Sequence, residues 1–126
     1  MASIIPENYS YLKPYSGEIN RKQFWENVVA QINKDTGSEN AVHVKLEDLQ
    51  GEEAAEAIVT HLQKQLPAFT PRLSEILYRI DIDEENTKRL KNLPDDLYFR
   101  ILAEMILKRE VMKVLTKGFL SDNTRL

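Results

Sequence analysis

The apolar residues of this chain change their spacing as it proceeds, and the changes divide it into elements. Phe24, Trp25, Val28, Val29 and Ile32 recur at steps of three and four, with Glu26, Asn27, Gln31 and Lys34 on the opposite side. That is the buried face of an amphipathic helix. Asn20 stands where its N-cap belongs, and Gln23 three residues on completes a capping-box pattern. Gly37, in the polar break from Lys34 to Asn40, ends it. A second helix is predicted over Glu52–Leu66, with Ala55, Ile58, Val59, Leu62 and Leu66 as its stripe and Pro67 as its stop. Thr70 then caps a third, which has Pro71 at the first helical position and buries Leu73, Ile76, Leu77 and Ile80. A short fourth helix runs from Asp83 to near Asn92. The last and longest opens at Pro94, continues to about Thr116 and has Gly118 as its C′ residue.

Three stretches do not follow this period. Ala41–Leu46 alternates, Val42, Val44 and Leu46 against His43, Lys45 and Glu47, as a short β-segment or an extended connector would. Residues 1–19 are punctuated by Pro6, Pro14 and Gly17 and hold Tyr9, Tyr11 and Tyr15, so they read as an irregular tyrosine-rich arm. Residues 119–126 read as a frayed tail. The expected architecture is therefore mainly α: a single domain over 1–126, an irregular bundle of about five helices around the long C-terminal one. From Leu97 to Leu107 the clearly polar positions of that helix are only Arg100 and Glu104. A helix apolar nearly all round is buried on most sides. Either the other helices wrap it, or part of it, with Met112 and Leu115, faces a second copy.

Composition narrows the chemistry more than it defines it. At 126 residues, with 42% hydrophobic and 29% charged side chains, the chain is long enough for one core and is not of disordered type. It has no cysteine, which removes disulfides, thiolate metal sites, thiol catalysis and thiol redox switching. Ile4 and Ile5 are followed at once by Pro6 and Glu7, so no targeting segment is expected, and a cytoplasmic location follows by default. Leu97–Leu115 carries Arg100, Glu104, Lys108, Arg109 and Glu110 and is not expected to span a membrane.

The net charge of −3 hides an uneven distribution. Residues 51–86 hold three bases and eight acids, whereas residues 87–126 hold nine bases and five acids. Much of this is helix-end logic, acids in first turns and bases in last turns, helped by Glu84–Lys88, Glu85–Arg89 and Glu104–Lys108 at i,i+4. It does not account for Arg109, Lys113 and Lys117, like charges at successive i,i+4 steps, which form a candidate basic strip.

Motifs are few. Asp81-Ile82-Asp83-Glu84-Glu85-Asn86 opens like a calcium loop, but positions six and twelve are Asn86 and Asn92 instead of Gly and Glu. The third and fourth helices have the order of a helix-turn-helix, with Thr87, Lys88, Arg89 and Asn92 as contact types. Asp83, Glu84 and Glu85 would then lead against phosphate. Arg79 is expected to pair with a carboxylate at the Ile80–Asp83 corner. His43 and His61 are isolated, and all four glycines are single, so no metal pair, nucleophile elbow or phosphate loop is formed. No catalytic residue, metal ligand or cofactor is assigned. The residues assigned to partner binding are Tyr9, Tyr11, Tyr15, Arg109, Lys113 and Lys117. The function expected from these features is a small interaction or regulatory protein that self-associates or binds another protein. A nucleic-acid-binding regulator using the basic C-terminal third is the alternative, and a carboxylate-dependent enzyme is the second.

Overall fold

The structure, a computed structural model, describes residues 9–38, 42, 43, 49 and 51–124, with side chains as far as Lys117. Five α-helices longer than a single four-residue turn occur among the described residues: α1 (Lys22–Thr36), α2 (Gly51–Gln65), α3 (Leu73–Ile80), α4 (Glu84–Lys88) and α5 (Asp95–Thr124). The fold is a mainly α bundle around its long C-terminal helix. No strand occurs among the described residues. Of the β-segment expected near residues 41–46, positions 41 and 44–46 lie outside them. Val42, the apolar residue of that stretch that is described, is buried, and Asn33 holds its peptide on both sides. The Val42 N–H donates to Asn33 Oδ1 at 2.9 Å, and Asn33 Nδ2 donates to the Val42 carbonyl at 3.3 Å. A side-chain amide here replaces the strand neighbour that the alternation called for.

The centre of the molecule is the middle of α5. Leu102, Ala103, Ile106, Leu107 and Val111 are fully buried, and α5 packs chiefly along α2 and α1. The facing stripes are those the spacing predicts: Trp25, Val28 and Ile32 from α1, Ala55, Ile58, Val59 and Leu62 from α2, and Ile76, Leu77 and Ile80 from α3. Each buried Leu or Ile contributes about 1.5–3 kcal/mol relative to exposure. Trp25 also needs a partner for its indole N–H, which donates to the Ile19 carbonyl at 2.7 Å.

Helix ends depart from expectation more than helix faces. The Asn20 capping box does not form. Chain from the 3-10 segment Ser10–Tyr15 and the single α-turn Ser16–Ile19 enters α1 directly, leaving Arg21 at the N-cap without a side-chain bond and Gln23 donating to Asn27 at 2.9 Å. The arm expected to be irregular is thus helical from Ser10 to Ile19, with Leu12 buried beneath it. Pro67 does not end α2 in an open break. It opens a 3-10 stretch, Leu66–Arg72, in which Thr70 turns its hydroxyl back to the Pro67 carbonyl at 2.9 Å instead of capping α3. The fourth helix, expected to run to near Asn92, is one short turn over Glu84–Lys88, capped by Asp83, whose Oδ1 accepts from Glu85 N at 3.0 Å. Beyond it Leu90 and Leu93 close three-residue turns. At the other end α5 continues through Gly118 to Thr124. A single interior glycine weakens a helix by about 1 kcal/mol without breaking it, so the tail expected to fray is helical as far as Thr124.

Gly37 does end α1 as read, at φ 72°. Two arginines converge on that end. Arg72 Nη2 donates to the Thr36 carbonyl at 2.6 Å, and a Cβ on residue 37 would stand 3.0 Å from Arg72 Nη2 and 3.4 Å from Arg79 Nη1. The guanidiniums face the negative end of the helix dipole. Gly37→Ala combines a left-handed backbone with this crowding and is expected to lower stability by about 1–2 kcal/mol in chemical denaturation; a midpoint equal to wild type would exclude the crowding.

Candidate functional site

Two acids lie where the helical stripes demand apolar residues. On α5 the buried positions Ala103, Ile106, Leu107 and Val111 define a face on which Glu110 falls in register. On α1 the positions Trp25, Val28, Ile32 and Thr36 do the same for Asp35. Since these faces pack together, the acids meet. Glu110 is 0% exposed and Asp35 is 8% exposed. Lys113, one turn beyond Glu110, donates to Asp35 Oδ2 at 2.8 Å and to the Arg79 carbonyl at 2.9 Å, and Gln31 Nε2 donates to Asp35 Oδ1 at 3.1 Å. Glu110 receives nothing comparable: its oxygens make no hydrogen bond, and Lys113 Nζ stands 3.6 Å away.

The two carboxyls therefore diverge. Burial opposes the charge on Asp35, but the hydrogen bonds from Lys113 and Gln31 and the Lys113 charge outweigh it and hold its pKa below the usual value. Burial, then the adjacent Asp35, pushes Glu110 up to about 8 against the pull of Lys113. Such separation is what acid–base catalysis by paired carboxyls requires. Catalysis also requires access, and neither acid lines the clefts described below.

A second polar network crosses from α5 to α2. Arg100 and Glu104, the narrow polar column of the central helix, are covered instead of facing solvent. Arg100 clasps Glu56 with two bonds of 2.8 and 2.7 Å and donates through Nε to Glu104 at 3.0 Å. This bidentate geometry is the strong form of the arginine–carboxylate pair. It holds the Glu56 carboxyl below its usual range and the guanidinium above its own. Tyr9 closes the network, donating to Glu56 Oε1 at 2.7 Å.

The assigned tyrosines lie against the core to different degrees. Tyr9 is 4% exposed, and Tyr11 and Tyr15 are half-buried against the same cluster. The Tyr11 hydroxyl is buried without a hydrogen bond, and the Lys108 ammonium lies 5.5 Å from its ring centroid. Burial, the largest effect at each, raises both the Tyr9 and the Tyr11 phenols. The arm was read from punctuation alone; the unseen partner was Glu56, which helix logic places on a solvated face.

The three assigned bases do share one side of α5, and each is engaged. Arg109 Nη2 donates to Asp81 Oδ2, Lys113 to Asp35, and Lys117 to Gln31 Oε1. Asp81, left-handed at φ 76° as the cap of α3, meets Arg109 rather than Arg79. Arg79 pairs instead with Glu75 one turn earlier, at 2.7 Å. Nor do the predicted helix pairs all form: Lys88 takes Glu85, and Glu104 takes Arg100.

Of the Arg109–Asp81 pair, Asp81 lines one cleft and Arg109 another. One, of about 800 Å³, lies between the α3–α4 corner and α5. Ile82 and Met105 supply its apolar lining, Asp81, Asp83 and Glu84 its acids, and Lys108 a single base. Tyr78 stands beside them with 86% of its surface exposed. The other, of about 290 Å³, is lined by Gln31, Arg109, Met112, Lys113, Thr116 and Lys117. Sequence reading missed the first because its parts come from three elements; the exposed aromatic at Tyr78, off the Ile76–Leu77–Ile80 stripe, was the available signal.

Among the described residues no three acidic or histidine side chains gather as a metal would need, and no helix is long and apolar enough to cross a membrane. The α4 helix, five residues long, is too short to serve as the recognition helix of a helix-turn-helix. Comparison of the chain with known protein families, curated proteins and solved structures finds no match.

The raised Glu110 pKa sets a pH dependence. Its folded value of about 8 exceeds the ordinary 4.5, so folding retains a proton that the unfolded chain releases. The contribution is complete below pH 4.5, falls as pH rises toward 8 and is then lost, by about 1 kcal/mol per pH unit in that window. Glu110→Gln should remove this slope: relative to wild type, the variant gains stability between pH 5 and pH 8.5 in denaturant titrations. Parallel curves for the two proteins would show that Glu110 is ionised in the fold.

Proposed function

We propose that this is a small interaction protein whose docking site is the cleft between the α3–α4 corner and α5, and that its occupant is a cationic, apolar segment of a partner protein. The observation that carries this reading is Tyr78. A tyrosine 86% exposed, beside Ile82 and Met105 and among Asp81, Asp83 and Glu84, has the composition of an interface anchor with a charged rim. The acids specify the sign of the partner: a basic side chain entering here meets Asp83 and Glu84 against one lysine, with Asp81 already paired to Arg109.

Self-association draws less support than the chain alone suggested. Its motive was surplus apolar surface on the last helix, and part of that surface is spent inside, Leu102, Ala103, Ile106, Leu107 and Val111 being wholly buried. Among the described residues Leu97 is 41% exposed, and Tyr98, Phe99, Ile101, Met105, Met112 and Leu115 are half-buried. The enzyme reading is weakened because the acid pair whose pKa values diverge, Asp35 and Glu110, is buried away from both clefts, and the nucleic-acid reading because two bases of the strip, Arg109 and Lys113, already face the carboxylates of Asp81 and Asp35.

The test is titration of the full protein with a Leu/Arg amphipathic peptide and with its Leu/Glu counterpart, alongside light scattering of the protein alone. The basic peptide is expected to bind, more weakly as salt rises, and Tyr78→Ser should weaken it about tenfold or more with little loss of stability. Equal binding of the two peptides, or an unchanged affinity in Tyr78→Ser, would remove the proposal. A mass that doubles with concentration and returns to monomer in Tyr78→Ser would make the occupant a second copy instead.

A further inference from the structure

Arg109, Lys113 and Lys117 repel one another at successive i,i+4 steps, yet they line a single cleft of about 290 Å³ with Gln31, Met112 and Thr116. We propose that this cleft binds a phosphate-type oxyanion, held by Arg109 and Lys117 with Lys113 fixed behind them. The inference is independent of the Tyr78 cleft.

The charges within the cleft are unequally balanced. Lys113 is matched by Asp35 at 2.8 Å and is anchored a second time by the Arg79 carbonyl. Arg109 shares one nitrogen with Asp81, whose side chain is 74% exposed, so most of its five N–H donors remain for a ligand. A pair so exposed holds weakly. Lys117 has, among the described residues, the neutral amide oxygen of Gln31 as its partner, so no described carboxylate balances its charge. Among the described residues the three bases of the cleft thus outnumber the two carboxylates that pair with them.

The holding groups are also placed in advance. Gln31 gives its amide N–H to Asp35 and its oxygen to Lys117, so the same buried carboxylate that fixes Lys113 orients the residue that positions Lys117. Groups ordered before binding lose less freedom when the ligand arrives. The guanidinium fork matches a tetrahedral oxyanion with two parallel bonds, and the lysines add point charges around it. Met112 provides an apolar wall. The volume lies at the small end of ligand pockets and suits one anionic group rather than a whole nucleotide.

The experiment is an NMR and thermal-unfolding titration of the full chain at pH 7 with sodium phosphate, against sodium chloride of the same ionic strength. A parallel arm uses phenyl phosphate. The expected result is a saturable shift of the α5 amides around Lys113 and Lys117 and a rise in Tm, neither produced by chloride. Lys117→Gln, at an exposed position, should weaken the affinity about tenfold, and Lys117→Arg should restore it. Tighter binding of phenyl phosphate would identify a phosphate carried on a larger molecule, and binding of inorganic phosphate alone would identify the free ion; either supports the site. Responses equal to those of chloride, or titrations that Lys117→Gln leaves unchanged, would overturn it.

Discussion

A helix that is apolar on nearly every side cannot be left in water, and the rest of this molecule is organised by that constraint. The middle of α5 needs cover all round, so α1 and α2 lie along it and α3 closes against its far half. The tyrosine arm completes the cover. It brings Tyr9 to Glu56 and seals the polar column of Arg100 and Glu104 beneath it. The few charged groups carried inward have had to find partners there, and the two polar networks are the result.

Those networks differ in how completely they are satisfied. Around Arg100 each guanidinium nitrogen has a carboxylate oxygen within 3.0 Å, and the phenol of Tyr9 adds a further donor to Glu56. Such a cluster fixes the register of α5 on α2. Around Asp35 one ammonium serves two carboxyls, and Glu110 is accommodated as a neutral acid because burial makes its ionised form unfavourable. The first network is a fixed joint. The second depends on a proton, and its Asp35 end supports the bases that line the smaller cleft.

The basic strip illustrates how a feature changes meaning once neighbours are in place. Along the chain it is three like charges on one side of a helix. In the fold one base is bound to a buried acid, one to an exposed acid and one to an amide, so only part of the charge is directed outward. The acidic middle of the chain is resolved in the same way. Asp81 closes onto Arg109 and Glu56 onto Arg100, while Asp83 and Glu84 stay on the rim of the larger cleft.

What the sequence by itself determined is the set of helices and the face each one buries. Period is a local property, and the stripes on α1, α2 and α3 follow it, with Val29 and Leu73 half-buried at their edges. Local chemistry also determined the αL stop at Gly37 and the cap at Asp83. It did not determine the start of α1, where preceding helical turns displaced the Asn20 box, nor the route through Pro67 and Thr70. The candidate sites were less legible still. That Asp35 and Glu110 fall on buried stripes was visible in the spacing; that they face each other was not. Tyr78, Ile82, Met105 and Glu84 belong to three separate elements, and Gln31 reaches Lys117 across 86 positions. Such pairings depend on which stripe packs against which, and on side chains meeting at distances a one-dimensional pattern does not contain. Tertiary packing alone decided them, because burial of α5 left only certain polar groups within reach of one another.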